Sequence, residues 1–225
     1  MTSENNESHS ASLDLVGTVA SSLPWLKALV ELWKIGRKAL RGFADEGIYE
    51  VLEYESTLEL KDTRGEHAVF HKRERVRYLQ NGIIAYQDQA WGDGKILIDY
   101  RCTPGVPVDR YRPAQKTYIL ISLREVRNRG DIDEFNIEWG IHQGFRRPIE
   151  SWATEVADRT RKLKVQVIFP QTRPPLRTWL VEGIRQRTHP LGQEAQIQLP
   201  DGRWLISWDT SSPRLNEQYI LKWEW

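Results

Sequence analysis

Cys102 is the only cysteine of the chain, and what it can do depends on its neighbours. A thiol becomes a nucleophile when a histidine or a positive field lowers its pKa. His71 and His142 are candidates for that part, yet no local sequence marks Cys102 as activated. Beside a strand end, a lone cysteine reads as a small core residue. His67 and His71 have the spacing that pairs metal ligands on a helix. They fall on a strand pattern, where four residues span roughly 13 Å, so one ion cannot join them.

Asp93, Asp99, Asp109, Asp131, Asp133 and Glu134 fall in loops or at strand ends, where two carboxyls can converge as general acid and base. The run from Asp131 to Glu134 alternates acids but lacks the glycine and final glutamate of a calcium loop. Arg129, Gly130 and Asp131 match an integrin tripeptide, a coincidence in a chain of cytosolic composition. Trp91, Trp139, Trp152 and Trp179 can be read as a sugar platform. Trp204, Trp208, Trp223 and Trp225 keep phase with core positions, so packing is the default. A basic row on one strand (His71, Arg73, Arg75, Arg77), with Arg159, Arg161, Lys162 and Lys164 elsewhere, can hold phosphates. There is no glycine-rich phosphate loop, nucleophile elbow or zinc-type cysteine spacing. These patterns call for no metal and no cofactor.

The elements that must position these residues come in two kinds. From Pro24 to Phe43 the apolar residues recur with a helical period. Trp25, Leu26, Ala28, Leu29, Val30, Leu32, Trp33, Ile35, Ala39, Leu40 and Phe43 fill an arc of roughly 200°, against about 100° for a helix lying on its own domain. Lys27, Lys34, Arg37, Lys38 and Arg41 hold the rest, with Glu31 the only acid. Ser22 suits the cap and Pro24 the first turn. Gly42 to Gly47 end the helix.

After Gly47 the period switches to two. Thr63-Arg64-Gly65 suits a three-residue loop, which pairs Leu60 with Ala68, Leu58 with Phe70 and Leu52 with Val76 on one face. On the other face it pairs Glu55 with Arg73, Glu53 with Arg75 and Tyr49 with Leu79. Asn81-Gly82 reads as a hairpin turn pairing Leu79 with Ile84 and Arg75 with Asp88. Those pairs neutralise the basic row and argue against nucleic acid as a partner. Gly92-Asp93-Gly94 reads as a hairpin into Ile96 to Arg101, and Pro104 to Pro113 as a loop. Tyr118 to Val126 reads as a strand buried on both faces. Residues 135–141, 163–169 and 219–225 alternate cleanly, and 149–157 suits helix or strand equally. Asp201-Gly202 pairs Leu199 with Trp204, Ile197 with Ile206 and Ala195 with Trp208. About a dozen such strands imply an all-β, mostly antiparallel β-sandwich or flattened barrel, preceded by the amphipathic helix.

Composition bounds the rest. The chain has 225 residues, 32 Lys and Arg against 31 acids, and ten tryptophans, so no bulk charge steers it to a polyanion. The first dozen residues are polar and read as a disordered tail, without the positive start and apolar run of a secretory signal. The longest uncharged run, residues 15–26, is too short to span a bilayer. These features imply a cytoplasmic protein with peripheral membrane contact at most. The expected layout is a tail at 1–12, a helical segment at 13–46 and a β-sandwich at 47–225.

The expected function is a non-enzymatic binding module. Its helix docks on a protein assembly, on a second copy of the chain, or on an anionic membrane surface. Trp25, Leu29, Trp33, Leu40 and Phe43 supply apolar contact, and Lys34, Arg37, Lys38 and Arg41 supply polarity and steering. Burying about six large side chains there yields roughly 10 kcal/mol before entropic costs. The alternatives are a membrane-disrupting effector with a releasable N-terminal helix, or a hydrolase with a carboxylate or Cys102 at strand ends.

Overall fold

In the stretch after Gly47, alternate side chains are apolar, so each strand can bury one face and leave the other wet. The computed structural model describes residues 47–225. The helix expected over residues 24–43, with every contact residue assigned to it, lies outside the described residues. Within them there is no α-helix, only one 3-10 turn at Gln193–Ala195. Among the described residues no helix is long and apolar enough to cross a membrane.

Strands β1 (Tyr49–Leu60) and β2 (His67–Tyr78) form a long hairpin. Gly65 closes it at φ +68°, and a Cβ there would lie 1.7 Å from the Phe145 carbonyl oxygen. The expected register holds from Leu60–Ala68 through Glu53–Arg75. A bulge at Leu52 then shifts it by one, so Val51 faces Val76 and Tyr49 faces Tyr78. The bulge corrects the two outermost expected pairs, because an added residue swaps which side chain reaches the core.

Next come β3 (Ile83–Ala90), β4 (Lys95–Thr103), β5 (Val106–Tyr111), β6 (Thr117–Arg127) and β7 (Ile132–His142). They are followed by β8 (Ile149–Glu155), β9 (Leu163–Phe169), β10 (Arg177–Glu182) and β11 (Arg187–Pro190). The last are β12 (Gln196–Gln198), β13 (Trp204–Thr210) and β14 (Gln218–Glu224). They make a seven-stranded sheet ordered β12-β13-β9-β1-β2-β7-β4, a four-stranded sheet β11-β10-β14-β8 and a three-stranded sheet β3-β6-β5. The pairing is antiparallel except between β1 and β9, which run parallel.

Several expected connections differ. β2 and β3 are not paired across Asn81-Gly82, nor β3 and β4 across Gly92 to Gly94; both turns carry the chain between sheets. β2 pairs instead with β7, and β3 with β6. A tight turn fixes a reversal, but it does not fix which strand lies alongside. The segment expected as a loop at Pro104 to Pro113 contains β5, and in 149–157 the strand β8 takes Ile149–Glu155. At Asp201-Gly202 the register is one residue off expectation, with Gln196 opposite Ile206 and Gln198 opposite Trp204. Leu199 and Arg203 close the ladder there, so Pro200 joins a three-residue loop with Gly202 at φ +85°.

Both smaller sheets contribute to the core beneath the inner face of the large sheet. Tyr86 of β3 stacks on Phe135 of β7 with centroids 3.9 Å apart. Trp152 of β8 packs on Phe70 of β2 at 4.9 Å and Trp139 of β7 at 5.9 Å. Trp223 of β14 meets Phe169 of β9 edge-on at 5.5 Å. Ser56 of β1 accepts hydrogen bonds from the Trp152 indole and the Thr154 hydroxyl, each at 3.2 Å. The result is a β-sandwich in which one large sheet backs two small ones.

Candidate functional site

The inner face of the large sheet holds one polar island. In β2, Lys72 and Glu74 keep the phase of Ala68, Phe70, Val76 and Tyr78, so alternation turns them inward. Both are buried, as is Asp88, which enters from β3. The Lys72 ammonium donates to Asp88 at 2.7 Å and to the Tyr86 hydroxyl at 3.0 Å, and pairs with Glu74 at 2.8 Å. The Tyr86 hydroxyl donates to Glu74 at 2.7 Å, and Tyr100 of β4 donates to Asp88 at 2.9 Å. Burial alone would pull the ammonium's pKa down. The carboxylates of Asp88 and Glu74 outweigh it and hold the pKa well above its ordinary value. Burial first, then the neighbouring acids, push the Tyr86 and Tyr100 phenols up. This cluster ties the three-stranded sheet to the large one and fixes the strands above it.

On the opposite, outer face lies a groove of about 470 Å³ across β1, β2, β7 and β4. Register places its side chains in two cross-strand rows. One runs Ser207, Gln166, Thr57, His71, Glu138, Arg101 from β13 to β4. The second runs Asp209, Lys164, Glu55, Arg73, Asn136, Thr103. Neighbours in the rows bond to one another. Gln166 donates to Ser207 at 3.3 Å, and Thr57 donates to Gln166 at 3.2 Å. His71 Nδ1 lies 3.2 Å from Glu138, and its Nε2 lies 3.8 Å from Glu59. Lys164 donates to Glu55 at 2.8 Å, and Arg73 reaches Glu55 at 3.3 Å and Glu134 at 3.2 Å. Burial would raise the Glu55 carboxyl, but Lys164 and Arg73 offset it and leave the pKa below ordinary. His71 contributes most to lowering Glu59 to about 2, against partial burial and with help from Lys61 and Arg203.

The candidate residues read from sequence scatter. His67 bonds Asp62 at 2.9 Å and stands edge-on to His142, while His71 belongs to the groove. Among the described residues no group of three potential ligands can hold a metal ion. Cys102 points toward the core side, and burial, then Asp88, push its thiol pKa up, the reverse of activation. Asp93 pairs with Arg147, and Asp133 takes Tyr78 and Arg127. Asp109 accepts its neighbour's backbone N–H. Asp131 accepts the Asn128 backbone N–H in the turn that holds Arg129 and Gly130. None of these acids converge. Asp88 lies inside rather than opposite Arg75. Of the basic row, Arg73 and Arg77 are held by acids, and Arg161 joins Arg77 on Glu50. Trp139, Trp152, Trp223 and Trp225 are buried, whereas Trp204 and Trp208 are only partly so. Arg177 lies over Trp179, and Lys116 over Trp91.

The buried cluster was not singled out from sequence, although a signal existed. Two charged residues in the inward phase of β2 must be paired inside or break the core.

No family model matches this chain, and no curated protein is similar to it in sequence. Solved structures do resemble it in backbone. A candidate protease from Parabacteroides distasonis superposes with TM-score 0.51 at 10% identity, over 80% of this chain and 41% of that one. An M1 zinc metallopeptidase mutant from Deinococcus radiodurans, bound to a peptide substrate, gives TM-score 0.47 at 11% identity, over 77% and 42%. This chain therefore spans about two fifths of the length of the structures it matches. At such identities the likeness extends to fold alone.

Proposed function

We propose that this chain is a non-enzymatic binding module. The β-sandwich presents the outer-face groove as a recognition surface. The amphipathic segment at residues 24–43 docks on a protein assembly or an anionic membrane surface. The observation that carries the reading is the state of the groove's acids. Glu55 is held as an anion by Lys164 and Arg73, and Glu138 faces His71 at 3.2 Å. Side chains fixed in cross-strand pairs form a preorganised surface, which favours recognition over proton transfer. For the leading segment the support is its sequence, whose apolar arc is about twice as wide as one supporting domain needs.

The test uses the full chain and a Leu29→Glu, Trp33→Glu double variant. The reading expects the parent to float with anionic vesicles, or to elute from a sizing column as an assembly, and the variant to do neither. Equal behaviour of the two proteins in both assays would defeat the docking role.

A further inference from the structure

We propose that the β4 end of the groove binds the carboxylate or phosphate group of a small polar ligand, with Arg101 as its anchor. This rests on the groove being a recognition surface and is independent of the role given to residues 24–43.

The backbone of β4 is irregular on both sides of Ile98. Against β7, Ile98 stands opposite Gly140, and Arg101 stands opposite Glu138. The ladder takes in one extra residue between Lys95 and Ile98 and a second between Ile98 and Arg101, so the second shift undoes the first: Arg101 keeps the outward phase of Lys95 and lines the groove, while Tyr100 turns inward to Asp88. Leu97 stands at φ +60° in the first shift and Asp99 at φ +51° in the second. Left-handed backbone at non-glycine residues marks the two bulges, a device that collects where a strand's side chains must be re-aimed.

The arginine so placed has no partner among the described residues. Arg73 and His71 on the neighbouring strand are engaged with Glu55, Glu134 and Glu138. Glu138 faces Arg101 across the ladder but directs its carboxylate to His71. Asn136 and Thr103 stand opposite one another in the next row, with no side-chain bond to any described residue. One end of the groove therefore gathers a guanidinium, an amide and a hydroxyl, donors that suit an oxyanion held by a forked contact. The rest of the groove, with Thr57, His71 and Glu55, offers mixed donors and acceptors for a polar body. The groove, about 470 Å³ and open to solvent, has room for a small molecule.

The experiment is a titration of the full chain with inorganic phosphate, glutarate, glycerol phosphate and glycerol, followed by amide NMR and calorimetry. The expected result is saturable shifts at Arg101, Thr103 and Asn136 with at least one anion and none with glycerol. Arg101→Gln should weaken that binding by about tenfold or more, Arg101→Lys by less, and Arg75→Gln, outside the groove, not at all. A response to phosphates alone or to glutarate alone identifies the head group. No saturable response to any anion, or equal binding by Arg101→Gln, overturns the proposal. Flotation and sizing of Arg101→Gln report on the leading segment separately, so the two readings fail independently.

Discussion

Replacing Lys72 by Met tests whether the buried cluster holds the two sheets together. Methionine fills a similar volume but supplies no charge and no donor. The substitution deletes the ammonium that sits 2.7 Å from Asp88, 2.8 Å from Glu74 and 3.0 Å from the Tyr86 hydroxyl. Glu74 keeps its hydrogen bond from Tyr86, and Asp88 keeps the one from Tyr100. Each acid then lacks its cation inside the core, a change that costs about 3–5 kcal/mol. At about 2–4 °C per kcal/mol for a domain of this size, the melting temperature falls by roughly 6–20 °C. Urea unfolding followed by tryptophan emission reads the change directly, since Trp139, Trp152 and Trp223 are buried.

Adding Glu74→Gln and Asp88→Asn keeps acceptors for both phenols and removes both charges, and should recover about half of the loss. A Lys72→Met deficit under about 1 kcal/mol would refute the reasoning, since it would mean the acids do not need the cation.

Ser56→Ala should destabilise the fold by about 1–3 kcal/mol in the same unfolding assay, because its hydroxyl is the acceptor for both the Trp152 indole and the Thr154 hydroxyl. Glu59 contributes stability that is present above its ordinary pKa near 4.5 and lost as pH falls through about 2. Glu59→Gln should therefore flatten the stability curve between those values, and a parallel acid limb in both proteins would count against Glu59 as its source.

The alternation of β1, β2, β7, β9 and β14 was readable residue by residue, because a buried sheet face demands an apolar side chain at every second position. The same rule fixed most of the β1–β2 register and put opposite charges across it at Glu55 and Arg73. It also carried the warning at Lys72 and Glu74, two charges in an apolar phase. What it could not carry was Asp88, the partner that arrives from another sheet, for local pattern encodes the face of a strand and not the strand that will cover it. The turns at Asn81-Gly82 and Gly92 to Gly94 reverse the chain, yet β2 pairs with β7 and β3 with β6, partners that no local pattern names. The parallel contact of β1 with β9 joins residues about a hundred positions apart and leaves no local mark. Likewise the two added residues of β4, on either side of Ile98, appear only once the strand is laid against β7. Alternation alone turns Arg101 outward, but only the packed ladder decides that it stands opposite Glu138 rather than Asn136.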